Sequence, residues 1–232
     1  MGAGGAILDL TLARPLAEPD GAPQAPYTLK LDPGELALID APDEAHSSWF
    51  ADLCCGLVPL AEGKACFLGR DWAAMPHDFA AALRGRIGRV FAKGGWIGFL
   101  DVAANVLLPQ LHHTRNDVGI LRDRAASLAR AFGLPGLPLE RAADLSPADL
   151  VRAACVRAFL GDPLLVVLES PASGRLSDLE APLLDAVAAA RGRGAAVLWL
   201  SRNERVLRDR SFPASHRWRL DERGLAPAGR PP

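Results

Sequence analysis

Four short segments hold most of the side chains that could do chemistry on this chain. Glu169-Ser170-Pro171 follows the apolar run Leu164–Leu168, so Glu169 stands at the end of a buried strand, where a carboxylate can hold a cation or pair with a neighbouring one. Ser170 offers only a hydroxyl and cannot act as a general base without an activating partner. Asp40-Ala41-Pro42-Asp43-Glu44-Ala45-His46-Ser47-Ser48 carries three carboxylates, an imidazole and two hydroxyls between an apolar strand and a helix. That set suits a cationic group; alternatively Ser47 and Glu169 hold a metal, or Ser47 and Ser48 cap the helix. Ser146-Pro147-Ala148-Asp149 opens another helix, and Ser201-Arg202-Asn203 adds a cation after a second apolar run.

The elements that must position these groups are readable from their periodicity. Ile7–Leu12, Tyr27–Leu31, Leu36–Ile39, Ala65–Leu68, Ile87–Phe91, Leu164–Leu168 and Ala196–Leu200 read as strands. Ser47–Leu57 reads as a helix with Trp49, Leu53 and Leu57 on one face and Gly56 near its C-terminal end. Further helices are predicted at Leu121–Phe132, from Ser146 as N-cap with Pro147 in the first turn to about Leu160, and at Leu179–Ala190. Wholly apolar strands alternating with helices predict a parallel sheet covered on both faces.

Composition narrows the function classes. A formal net charge of −1 gives no case for nucleic-acid or anionic-membrane binding. No apolar run is long enough to cross a bilayer, and Met1–Gly5 lacks the basic, apolar start of a signal peptide. Cys54, Cys55, Cys66 and Cys155 lack metal-ligand spacing and read as reduced, buried thiols. His112-His113 reads as a solvated loop.

In this order, a set of frame residues resembles the nucleotide-binding domain of ABC transporters, from about Ile7 to Leu225. Gly34-Glu35-Leu36 opens the strand before the phosphate loop, and Cys55-Gly56-Leu57 follows the loop's helix. Glu62-Gly63 and Gly69-Arg70-Asp71 match a strand and turn, and Ile87–Phe91 matches the strand before the Q-loop. Asp144-Leu145-Ser146 matches the start of the signature. Arg152 with Arg157-Ala158-Phe159-Leu160-Gly161-Asp162-Pro163 matches the segment after it. The resemblance implies a P-loop NTPase α/β fold: a mostly parallel sheet, an N-terminal antiparallel β-subdomain and a helical subdomain at about 93–160. It implies one domain over 1–225 and a disordered tail at 226–232.

Where the family carries its chemistry, this chain departs from it. A phosphate loop needs glycines whose amides wrap the phosphates, a Lys for their charge and a hydroxyl for Mg²⁺. Asp40 and Ala45 stand at two of those glycines, His46 at the Lys, and only Ser47 and Ser48 keep hydroxyls. A carboxylate about 4 Å from a phosphate oxygen costs roughly 4 kcal/mol at an effective dielectric near 20. The Q-loop Gln is Ala92, the signature glycines are Pro147 and Ala148 with Asp149 after them, the D-loop reads Ser173-Gly174-Arg175-Leu176, and the switch His is Arg202. Walker B ends in Glu169-Ser170 where the family has Asp-Glu.

The resemblance therefore implies a pseudo-ATPase with no confident catalytic residue or cofactor. Damage to both the phosphate loop and the signature favours a scaffold or regulator over a half-active engine. The stretch from Lys93 to Pro109 is similar to that of Mla/Mce-type lipid-transport systems, where it lines the groove for the permease. Trp96, Ile97, Phe99 and Leu100 are thus candidate docking residues, or core of the helical subdomain. The implied partners are a transmembrane permease and a second ABC domain, as homodimer or heterodimer. The implied location is cytoplasmic, peripheral on the inner face of the cell membrane. Two alternatives stand beside this reading. One is a divergent working ATPase using ATP and Mg²⁺ through Ser47, Glu169 and Arg202. The other is a repurposed α/β domain that binds no nucleotide.

Overall fold

The computed structural model describes residues 5–16, 26–171, 177–221 and 224–228. Two sheets form its frame. Strands β1 (Leu8–Pro15), β2 (Tyr27–Leu31), β4 (Leu60–Phe67) and β5 (Arg70–Asp71) make an antiparallel sheet in the order β2-β1-β4-β5. The second sheet contains β3 (Leu36–Asp40), β6 (Ile87–Val90), β7 (Leu165–Glu169), β8 (Ala196–Ser201), β9 (His216–Asp221) and β10 (Gly224–Pro227). Its order is β10-β9-β3-β8-β7-β6. Strands β9, β3, β8, β7 and β6 run parallel, and β10 closes the edge antiparallel to β9.

Burial explains the strand chemistry. Every residue of β7 and β8 is buried, as expected of parallel strands covered on both faces. Successive side chains then serve opposite cores. Leu36, Leu38, Val166 and Leu168 pack with α3 (Val102–His113), α4 (Val118–Ala131), α5 (Pro147–Phe159) and α6 (Ser177–Gly192). Ala37, Ile39, Leu165 and Val167 pack with α1 (Glu44–Cys54) and the antiparallel sheet. The short helices α2 (His77–Arg84) and α7 (Glu204–Arg208) flank these layers. Gly88 lets β6 touch α5: a Cβ there would lie 2.0 Å from the carbonyl oxygen of Ala158. Gly56, at φ +67°, turns the chain out of α1 against the Trp72 ring.

Several sequence expectations shift. The helix expected at Ser47–Leu57 begins at Glu44 and ends at Cys54, because Asp43 caps it; Leu57 lies beyond it and is exposed. His112 and His113 are the last residues of α3, not a loop, since the preceding residues pack on the helical core. Ala226 and Pro227, placed in a tail, pair with Arg219 and Trp218 in β10. The remainder of that tail, residues 229–232, lies outside the described residues, as does the D-loop segment Ser173–Leu176.

Candidate functional site

The parallel strands deliver their last residues to one edge, the usual ligand edge of such sheets. Asp40 of β3 pairs in register with Ser201 of β8, and Glu169 of β7 with Leu200. Pro42-Asp43 and the first turn of α1 lie beside them. An open cavity of about 470 Å³ at this edge is lined by Glu44, Ala92, Ser170, Arg202 and Asn203, among others.

Glu169 is wholly buried, and its oxygens are taken by the protein itself. Arg89, on the adjacent β6, donates from Nε to Oε1 at 2.6 Å, and the Ser48 hydroxyl donates to Oε2 at 2.6 Å. The Ala92 amide, all that the Q-loop position supplies, reaches Oε2 at 3.5 Å. Arg89 uses its other nitrogens on Asp52 at 2.5 Å and on the Ser48 carbonyl at 3.2 Å. Ser48 and Asp52 stand one turn apart on α1, so a single helix face closes the ring Ser48–Glu169–Arg89–Asp52. Of the two roles open to Glu169, cation holding and ion pairing, the geometry has the second. No group of three or more metal-ligating side chains occurs among the described residues.

The phosphate-loop segment is similarly self-contained. Asp43 accepts from the His46 amide at 2.8 Å and contacts His46 Nδ1 at 2.8 Å. The His46 amide, with the imidazole, holds the Asp43 carboxyl below its ordinary range. Ser47 is buried and donates to the Asp43 carbonyl at 2.8 Å, so neither serine is the cap. Ala45 is exposed. Asp40 pairs with Arg219 at 3.2 Å, and Glu44 with Lys93 at 2.5 Å and Arg202 at 3.4 Å. The three carboxylates expected to crowd one cradle are thus each turned to a different cation or amide. Arg202 meets Glu44, not Glu169. Ser170 has φ +48°, a left-handed conformation costly for a non-glycine residue, and donates its amide to Leu200.

The signature residues lie apart from this edge. Ser146 caps α5: its hydroxyl accepts from the Asp149 amide at 3.1 Å and donates to the Asp149 carboxylate at 2.8 Å. Pro147 occupies the first turn, followed by Ala148. The candidate docking residues separate into two kinds. Trp96 packs on the helical core, and Leu100 is half-buried. Phe99 is 78% exposed, and Ile97 is exposed as well. Buried Asn105 pins this loop, accepting from the Ile97 amide at 2.7 Å and donating to the Ile97 and Asp101 carbonyls.

Arg89 and Asp52 are the residues that sequence reasoning missed. The available signal was a charge between Gly88 and Val90 in an otherwise apolar strand, since a buried charge needs a partner.

Comparison with known proteins agrees with this architecture. The ATP-binding cassette MJ0796, solved as a dimer in a post-hydrolysis state bound to ADP and Pi, superposes with a TM-score of 0.81 at 18% identity. The match covers 95% of this chain and 98% of that one. The chain has the fold of an ABC-type nucleotide-binding cassette. Among curated proteins, it is similar to the intermembrane phospholipid transport system ATP-binding protein MlaF of Haemophilus influenzae. That match is 25% identical and covers 63% of this chain and 56% of MlaF. It is also similar to the glutamate/aspartate import ATP-binding protein GltL of Escherichia coli K12, at 26% identity over 66% of this chain and 63% of GltL. The cassette therefore spans under two thirds of the length of these relatives. No protein-family model matches the chain.

Proposed function

We propose that this cassette is a catalytically degenerate ABC transporter ATP-binding subunit. In this reading it docks on a membrane permease of a lipid-transport system, as scaffold or regulator. The observation that carries the reading is the closed ring around Glu169. A carboxylate already holding a guanidinium and a hydroxyl has no free charge for Mg²⁺, and Ser170 beside it supplies no base. Asp43 adds to this, because its own carboxylate takes the helix amide that a phosphate would need. The residues present do not suit a magnesium-bound triphosphate in the family's usual pose.

The docking half of the proposal is supported by the exposed Ile97 and Phe99 on a loop that Asn105 holds rigid. The similarity to MlaF, a phospholipid-transport protein by its description, supports the lipid assignment. The cassette would act on the cytoplasmic face, paired with itself or with a second ABC domain. No helix among the described residues is long and apolar enough to cross a membrane.

Calorimetry with millimolar ATP, with and without Mg²⁺, tests the first half, and no binding is expected. Magnesium-dependent hydrolysis abolished by Glu169→Gln would sink it in favour of the divergent ATPase. Co-purification with a permease tests the second half, and a clean monomer without a membrane partner sinks that.

A further inference from the structure

Two arginines are joined through one aromatic ring between the strand edge and the docking loop. Arg89 of β6 and Phe91, two positions on, share one side of the chain, and the guanidinium lies 4.4 Å from the ring centroid. Arg157 of α5 lies over the same ring at 5.6 Å and over the Trp96 ring at 4.5 Å, and donates from Nη1 to the Gly95 carbonyl. Gly95 has φ +73°, and a Cβ there would lie 2.7 Å from the Phe91 ring and 3.0 Å from Arg157 Nη2. Only glycine lets the loop close over both. An unbroken series of contacts thus runs from Glu169 through Arg89, Phe91 and Arg157 to Gly95 and Trp96, at the base of the loop that carries Ile97 and Phe99.

Two cations over one ring repel unless one of them is neutralised. Glu169 and Asp52 neutralise Arg89, while Arg157 has no ion pair among the described residues. The ring around Glu169 is therefore what lets both guanidiniums stack on Phe91. Other links between the loop and the strand edge are weak. Lys93 pairs with Glu44, but its side chain is 82% exposed, and Ala92 offers only its amide, 3.5 Å from Glu169. We infer that the series is an internal brace: Arg89 is a positioning residue that sets the docking loop through Phe91 and Arg157, so the loop keeps its docking geometry with no ligand at the strand edge. The inference rests on the docking reading and adds its regulation: docking is constitutive and is not switched by nucleotide.

Amide hydrogen exchange on the full chain, without nucleotide or permease, tests the brace. It is read at Ile97, whose amide donates to Asn105, against the buried amides of β7 and β8 as the measure of global unfolding. Relative to those amides, Phe91→Leu and Arg89→Met are each expected to speed exchange at Ile97 about tenfold, the scale of one well-placed cation–π contact. The double variant should be no faster than Phe91→Leu alone, because both changes act along one path. Phe91→Tyr, which keeps the ring, should hold the parent rate. If Arg89→Met fails to fold, Arg89→Met/Glu169→Leu takes its place. An unchanged Ile97 rate in the Arg89 variant, or additive effects in the double variant, overturns the brace. Adding ATP with Mg²⁺ should leave the parent rate unchanged, and a shift at Ile97 overturns constitutive docking. Failure of the docking reading itself shows elsewhere, as no permease in co-purification, and leaves these exchange rates untouched.

Discussion

Two arginines stack on the same ring, Phe91, and have opposite fates. Arg89 lies 4.4 Å from the ring centroid and holds two carboxylates; Arg157 lies 5.6 Å away and holds none. Both line one cavity between β6, α3 and α5, but the charge of the first is consumed inside the molecule. The second donates to the Gly95 carbonyl, and burial lowers its pKa to about 10. Neighbouring cations on one scaffold thus differ in whether the protein supplies their counter-charge.

The contrast breaks most easily at Arg89. Arg89→Met strands Glu169, whose side chain is 0% exposed, and is expected to cost about 3–5 kcal/mol in urea unfolding. The double variant Arg89→Met/Glu169→Leu should recover most of that loss, because an apolar pair replaces the buried ions without leaving one uncompensated. Asn105→Ala removes the side chain that ties down the docking loop and should cost about 2–3 kcal/mol, with faster hydrogen exchange at the Ile97 amide. Arg157→Met removes a cation that holds no carboxylate and should cost only about 1 kcal/mol, chiefly its stacking.

Asp43→Ala should also cost about 1 kcal/mol, through the lost cap of α1. Its pH dependence sharpens the point. Asp43 is held below its ordinary value of 3.8 by the His46 amide and imidazole. Its contribution is therefore complete above that pH and is lost as pH falls through the lower folded value. Unfolding of the parent and of Asp43→Ala should converge only once pH falls below that lowered folded value. The smallest stability effect belongs to Phe99→Ser, within about 0.5 kcal/mol, since its ring is solvent-exposed. Its consequence should appear only as reduced recovery of the permease.

Legibility from sequence follows burial and range. The Leu164–Leu168 and Ala196–Leu200 runs could be read directly, because a strand covered on both faces admits only apolar residues. The Ser146 cap was equally plain, since the amide that donates to its hydroxyl lies three residues on. The start of α1 was misplaced because Ser47 and Ser48 looked like caps, while the competing Asp43 sat earlier in the same polar stretch. The acidic cluster looked like a repelling cradle only while its partners were unknown. Arg219, Lys93 and Arg202 reach it from other elements.

The sequence by itself determined the order of seven of the strands and four of the helices, the cassette frame and the absence of the phosphate-loop Lys and glycines, all local or periodic properties. Only the tertiary structure decided what the remaining polar groups do. Ser48, Asp52, Arg89 and Glu169 come from three elements and as many as 121 positions apart. They meet only because β6 and β7 lie side by side beneath α1. Whether a charge is spent or free depends on such neighbours, and neighbours are set by packing.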